Sequence, residues 1–141
     1  MTKGVGMHNT YLSLGTNLGN RRANIREAIE KIEEQVGAVV RRSALYETKP
    51  WGFSSPNDFI NACVLVETPL APRQLLKALQ GIECEMGRTL KSVEGVYHDR
   101  IIDIDILLYD DLQVNDPDLV IPHPLMQERE FVMVPLREIL Q

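Results

Sequence analysis

A chain of 141 residues with 44% apolar and 25% charged side chains has the make-up of one globular domain with a core of its own. Its formal net charge of −5 argues against a general nucleic-acid binder, which presents a basic face, so an anionic ligand has to be held by a local cluster. No apolar run approaches the roughly 18 residues of a membrane span, and residues 1–8 lack the apolar stretch of a secretory leader; they read as a loose lead-in to a single cytoplasmic domain over 1–141.

In chain order, TYLSLG alternates toward Gly15 and predicts a first strand, and NLGNRR is a turn into a helix. The apolar positions of that helix, Ile25, Ala28, Ile29, Ile32 and Val36, follow the 3.6 period, and Gly37 ends it. AVVRRSALYET predicts a second strand and KPWGFSSPND a loop with two prolines. DFINACVLVET predicts a third strand with Ile60, Ala62, Val64 and Val66 on one face. Pro69 and Pro72 open a second helix whose stripe runs Leu75, Leu79, Ile82, Met86 and stops at Gly87. A polar loop, RTLKSVEGVYH, then leads to a fourth strand at Ile101. Cys63 and Cys84 fall within apolar patterns without metal-ligand spacing, which predicts core residues in a reducing compartment. The order strand, helix, strand, strand, helix, strand predicts an α+β, ferredoxin-like βαββαβ sandwich: an antiparallel sheet with helices on one face and a site on the other.

The fourth strand, DRIIDIDILLYD, carries an electrostatic defect. Alternation puts Ile102, Ile104, Ile106 and Leu108 on one face and Asp103 with Asp105 on the other. Two carboxylates with α carbons roughly 6.6 Å apart repel by roughly 2.5 kcal/mol at an effective dielectric of about 20. A solvated strand face is one explanation; a bound cation, or a retained proton, is another. Mg²⁺ takes one or two carboxylates plus phosphate oxygens and water, and Arg88, Lys91, Arg100 and Arg129 gather around the pair in the sequence, as a polyphosphate requires. Phe59 and Asn61 alternate onto the same face: an aromatic that can stack and an amide that can read a heterocycle edge. Trp51 in the proline-rich loop and His123 between two prolines are weaker signals, each by itself better explained as structural or exposed, and Phe131 can stack on a planar ring or merely pack. No Walker-type loop, dinucleotide-binding glycine motif or kinase catalytic loop is present.

Taken together, YLSLGTNLGN, YETKPWG, DFINACV, GRTLK, DRIIDIDILLYD and IPHPLMQEREF, in this order, resemble the 6-hydroxymethyl-7,8-dihydropterin pyrophosphokinase family of folate biosynthesis from Tyr11 to Leu136. The resemblance implies transfer of diphosphate from ATP to the pterin hydroxymethyl group with release of AMP. It implies that Asp103 and Asp105 ligate two Mg²⁺ ions arriving with ATP, that Arg88 and Arg100 act with them on the triphosphate, and that Lys91 closes over it. Gln80, Glu83, His123 and Arg129 match the nucleotide side. Thr48, Pro50 and Trp51 match positions offering backbone groups to the pterin, Asn61 its hydrogen-bonding partner, and Phe59 and Phe131 the rings that sandwich it. Leu90 departs from the pattern where a second loop arginine is usual, and Phe59 where some members carry a tyrosine. The implied partners are two small molecules, with no nucleic acid, membrane or obligate protein partner. From the residues alone, a noncatalytic ligand-binding module and a nucleotidyl- or glycosyltransferase with a D-x-D metal site stay open.

Overall fold

A computed structural model of the chain describes residues 6–49, 58–87 and 101–140. In chain order these form β1 (His8–Thr16), α1 (Arg21–Gln35), β2 (Ala38–Arg42), β3 (Tyr46–Thr48), β4 (Phe59–Thr68), α2 (Pro72–Glu85), β5 (Asp103–Tyr109), β6 (Val114–Asp116), β7 (Leu119–Ile121), a 3₁₀ turn (Met126–Glu128) and α3 (Glu130–Ile139). β1 takes in His8, the last residue of the expected lead-in, and His8 Nδ1 lies 2.7 Å from Asp110 Oδ2.

The main sheet runs β2-β4-β1-β5, with β3 also paired to β4, and every pairing is antiparallel. This is the predicted ferredoxin-like order. The second strand expected over 38–48 is two strands, β2 and β3, because the chain leaves the ladder at 43–45. Ser43 bridges the break: its N–H donates to Cys63 O at 2.9 Å and its hydroxyl accepts from Cys63 N–H at 2.9 Å. A side-chain oxygen thus satisfies a buried amide that a continuous strand would have paired.

One sheet face is closed by α1 and α2. In α1 the Asn20 side chain caps the helix by accepting from Ala23 N–H at 3.1 Å, and Ile25, Ala28, Ile29 and Ile32 are buried in the expected stripe. They meet Leu12 and Leu14 of β1, and Ile60, Ala62, Val64 and Val66 of β4, each large side chain stabilising the fold by about 1.5–3 kcal/mol. Gly37 serves less as a left-handed cap than as a point of close approach, since a Cβ there would overlap the Glu67 carbonyl oxygen. Pro72 opens α2, which buries Leu75, Leu79 and Ile82. Cys63 is buried as expected; Cys84 is not a core residue but exposed, one position past the buried Glu83.

The apolar face of β5 runs Ile102, Ile104, Ile106 and then Tyr109, not Leu108. The pairing with β1 shifts between Tyr11 and Leu12, which face Leu108 and Ile106, so Leu107 is an extra, bulged residue that reverses the alternation. Tyr109 enters the core and its hydroxyl donates to Leu70 O at 2.6 Å.

The opposite face is not left bare. The two crossover helices share one face as expected, but α3, which periodicity did not predict, packs on the other, burying Val132, Leu136 and Ile139 against Cys63 and Leu107. Its Glu138 carboxylate accepts from Ala44 N–H at 3.1 Å and from the Tyr46 hydroxyl at 2.5 Å, pinning the helix over the gap between β2 and β3.

Candidate active site

Directly opposed residues of an antiparallel ladder share a face, so the registers define rows across the sheet. One row on the α3 side reads Tyr46, Asn61, Gly15, Asp103, and the next reads Cys63, Ser13, Asp105. Because α3 seats on Cys63, the row holding Asn61 and Asp103 lies beyond its cover. Between them stands Gly15, where a Cβ would lie 3.1 Å from Asn61 Oδ1 and 3.6 Å from the Phe59 ring. The glycine keeps the floor of the site open between an amide and a carboxylate.

Asn61 is only 5% exposed and its Nδ2 donates to Thr48 Oγ1 at 2.6 Å. That bond fixes the amide, which turns Oδ1 toward Gly15. Phe59 opposes Thr48 in the β3–β4 ladder, so these three predicted residues are brought together.

Asp103 and Asp105 are half-buried on one face of β5, with Ile104 buried on the other between them. Burial first, then Asp103 and Glu83, raises the Asp105 carboxyl well above the ordinary carboxylate range, while Arg129 acts in the opposite sense. The repulsion inferred from the sequence is therefore present, and protonation of Asp105 relieves it. Glu83, buried at 8% exposure, reaches across from α2 and accepts from Ile104 N–H at 2.8 Å. The role expected of it was on the nucleotide side; here one of its oxygens holds the strand that carries both acids. Gln80, one turn earlier on α2, is half-buried.

Arg129 is buried at 8% exposure where α3 begins, and its guanidinium carbon sits 5.7 Å from the Phe131 ring centroid. Its Nε meets no acceptor among the described residues, although the side chain has other interactions. His123 is tied to β5 by its N–H, which donates to Leu107 O at 3.0 Å, and its Nδ1 accepts from Leu125 N–H at 3.3 Å. Burial, with Arg129 adding to it and Asp103 opposing, lowers its pKa, so the ring is neutral at pH 7 and carries its proton on Nε2. His123 and Arg129 thus join the acid pair. Arg88, Lys91, Arg100, Pro50 and Trp51 lie outside the described residues.

Among the described residues no group of three or more His, Cys, Asp or Glu side chains is placed to hold a metal ion. Two carboxylates on one strand suit a hard cation that completes its shell with phosphate oxygens and water. Gly15 and α3, which sequence reasoning did not assign to the site, shape it; an isolated glycine ending a strand pattern was the available signal for the first. No helix among the described residues is long and apolar enough to cross a membrane.

The family model for 7,8-dihydro-6-hydroxymethylpterin-pyrophosphokinase (HPPK) matches residues 11–141. The 2-amino-4-hydroxy-6-hydroxymethyldihydropteridine pyrophosphokinase of Porphyromonas gingivalis is 49% identical over 130 residues, 92% of this chain and 88% of that protein. Its namesake in Methylorubrum extorquens is 43% identical over 134 residues, 94% of this chain and 83% of the other. Two solved HPPK-DHPS structures share the fold. One, in complex with substrates, has a TM-score of 0.75 at 15% identity over 96% of this chain and 40% of its own; the other, from Plasmodium falciparum with pterin and p-hydroxybenzoate, 0.73 at 18% over 97% and 39%. This chain thus spans about two fifths of those longer chains. With the family match running from β1 to the last residue and near-half identity to a relative of similar length, the chain belongs to the 7,8-dihydro-6-hydroxymethylpterin-pyrophosphokinase family.

Proposed function

We propose that the chain transfers diphosphate from ATP to the hydroxymethyl group of 6-hydroxymethyl-7,8-dihydropterin, releasing AMP, in folate biosynthesis. Family membership supports the activity. The observation that carries the site is the row Asn61, Gly15, Asp103, which sets a heterocycle-reading amide about 10 Å from a carboxylate, two strand spacings away, across an open floor. The hydroxymethyl oxygen bonds to the β-phosphorus as the bond from that phosphorus to the α-phosphate's bridging oxygen breaks, and AMP leaves. The hydroxyl proton passes to solvent water as the new bond forms.

In this reading Asp103 and Asp105 hold Mg²⁺, two ions arriving with ATP. Magnesium supplies charge neutralisation on the phosphates and so lowers the barrier to in-line attack. Asn61, oriented by Thr48, hydrogen-bonds the pterin edge, Phe59 and Phe131 stack on its two sides, and Pro50 and Trp51 offer backbone groups. Arg88, Arg100 and Lys91 neutralise the triphosphate, joined by Arg129 and by neutral His123 donating from Nε2, while Gln80 and Glu83 face the nucleotide, Glu83 also setting β5 through Ile104. The chain would act as one cytoplasmic domain over 1–141; its two cysteines, both free, suit a reducing compartment. Incubation with ATP, Mg²⁺ and the hydroxymethyl-dihydropterin, followed by identification of the nucleotide product, tests it. Pterin-dependent AMP is expected; ADP, or binding without turnover, would overturn it.

A further inference from the structure

Arg21 is the first residue of α1, where the helix dipole disfavours a cation, and the first turn holds no acid. Its position is explained instead by what it reaches. One Nη1 donates to Glu47 Oε2 at 2.8 Å and to the Asp58 carbonyl at 2.9 Å. Glu47 lies in β3 and Asp58 immediately precedes β4, so one guanidinium spans the mouth of the β3–β4 pair. Alternation in β3 sends Glu47 to the face of α1 and its neighbours Tyr46 and Thr48 to the other. Thr48 faces Phe59 in the ladder and receives the Asn61 amide at 2.6 Å.

We infer that Arg21 is a positioning residue for ring recognition: by holding Glu47 and Asp58 from the helix side, it fixes Thr48, and through it the orientation of Asn61, on the site side. It touches neither ligand. This rests on the pterin reading above. α1 is independently docked through Ile25, Ala28, Ile29 and Ile32, so the strut ties a short, three-residue strand to a rigid layer.

The test compares Arg21→Ala and Arg21→Lys with the parent protein. Arg21→Ala should raise KM for the pterin about five- to tenfold, leaving KM for ATP and the thermal midpoint near their parent values. Arg21→Lys should recover only part of this, because an ammonium keeps the charge but ends about one bond short of Nη1, the atom that makes both contacts. An unchanged pterin KM, or equal rises in both KM values with a fall in thermal midpoint, would overturn the inference. A readout without turnover is the side-chain amide NMR signal of Asn61, which should shift in Arg21→Ala; an unmoved signal also overturns it. Failure of the parent protein to make AMP would fall on the proposed reaction, while the Asn61 signal still decides the role of Arg21.

Discussion

The two faces of β5 are made by alternate residues of one strand, and they answer to different demands. Ile102, Ile104 and Ile106 face α2 and the core; Asp103 and Asp105 lie on the opposite face, Asp103 in the row beyond α3 and Asp105 in the row of Cys63, on which α3 packs. The same backbone therefore carries residues that hold the fold and residues that the apo fold would be better without. The like charges stand side by side on the face where the core loses least by accepting them.

Substitutions along the strand separate the two demands. The largest effect is expected from Asp103→Ala or Asp105→Ala: turnover should fall by at least about a thousandfold, since phosphoryl transfer rests on charge neutralisation, while the thermal midpoint holds or rises. Unfolding of either variant would show that the acids serve the structure. Ile104→Ala, between them, should do the reverse, destabilising by about 2–5 kcal/mol in denaturant titrations. Asn61→Ala should raise the pterin KM about tenfold with little change for ATP, one buried hydrogen-bonding group being worth roughly 1–3 kcal/mol.

Smaller effects are expected from the titration of Asp105 and from the thiols. Because the folded protein raises the Asp105 pKa, the stabilisation from its protonated form is fully present below the ordinary carboxylate range and is lost as pH rises through the raised value. Metal-free Asp105→Asn should therefore melt a few degrees above the parent at pH 7, with the gap closing on acidification; a gap constant with pH would remove the carboxylate pair as its cause. At the covered end, burial pushes the Cys63 thiol up to about 12 while Cys84 is exposed. Thiol titration of native protein should then show one fast-reacting cysteine and, in denaturant, two.

Much of this was legible in the chain. Period-2 alternation in β4 placed Asn61 and Phe59 opposite Ile60 and Ala62, and α1 and α2 carry unbroken stripes. The failures share a cause, which is that local pattern was overridden by a partner remote in sequence. The break at Ser43 is repaired by Cys63, and the bulge at Leu107 is set by the pairing with β1. α3 has Val132, Leu136 and Ile139 at helical spacing, but Pro135 in its interior argues against a helix, and packing on Cys63 and Leu107 outweighs that local cost. For Glu83, expected on the nucleotide side, the bond of one carboxylate oxygen to Ile104 N–H is a further contact that nothing in the sequence announces.

That meeting has one more consequence. β5 is the outer strand of its sheet, with β1 as its only strand neighbour among the described residues, and an outer strand invites another chain to dock along it and extend the sheet. At Ile104 the invitation is withdrawn, because Glu83 already occupies the N–H that an incoming strand would need. A strand arriving there would have to displace a buried carboxylate. The strand that carries both acids thus stands at the rim of the sheet with that outward donor already satisfied from within the chain.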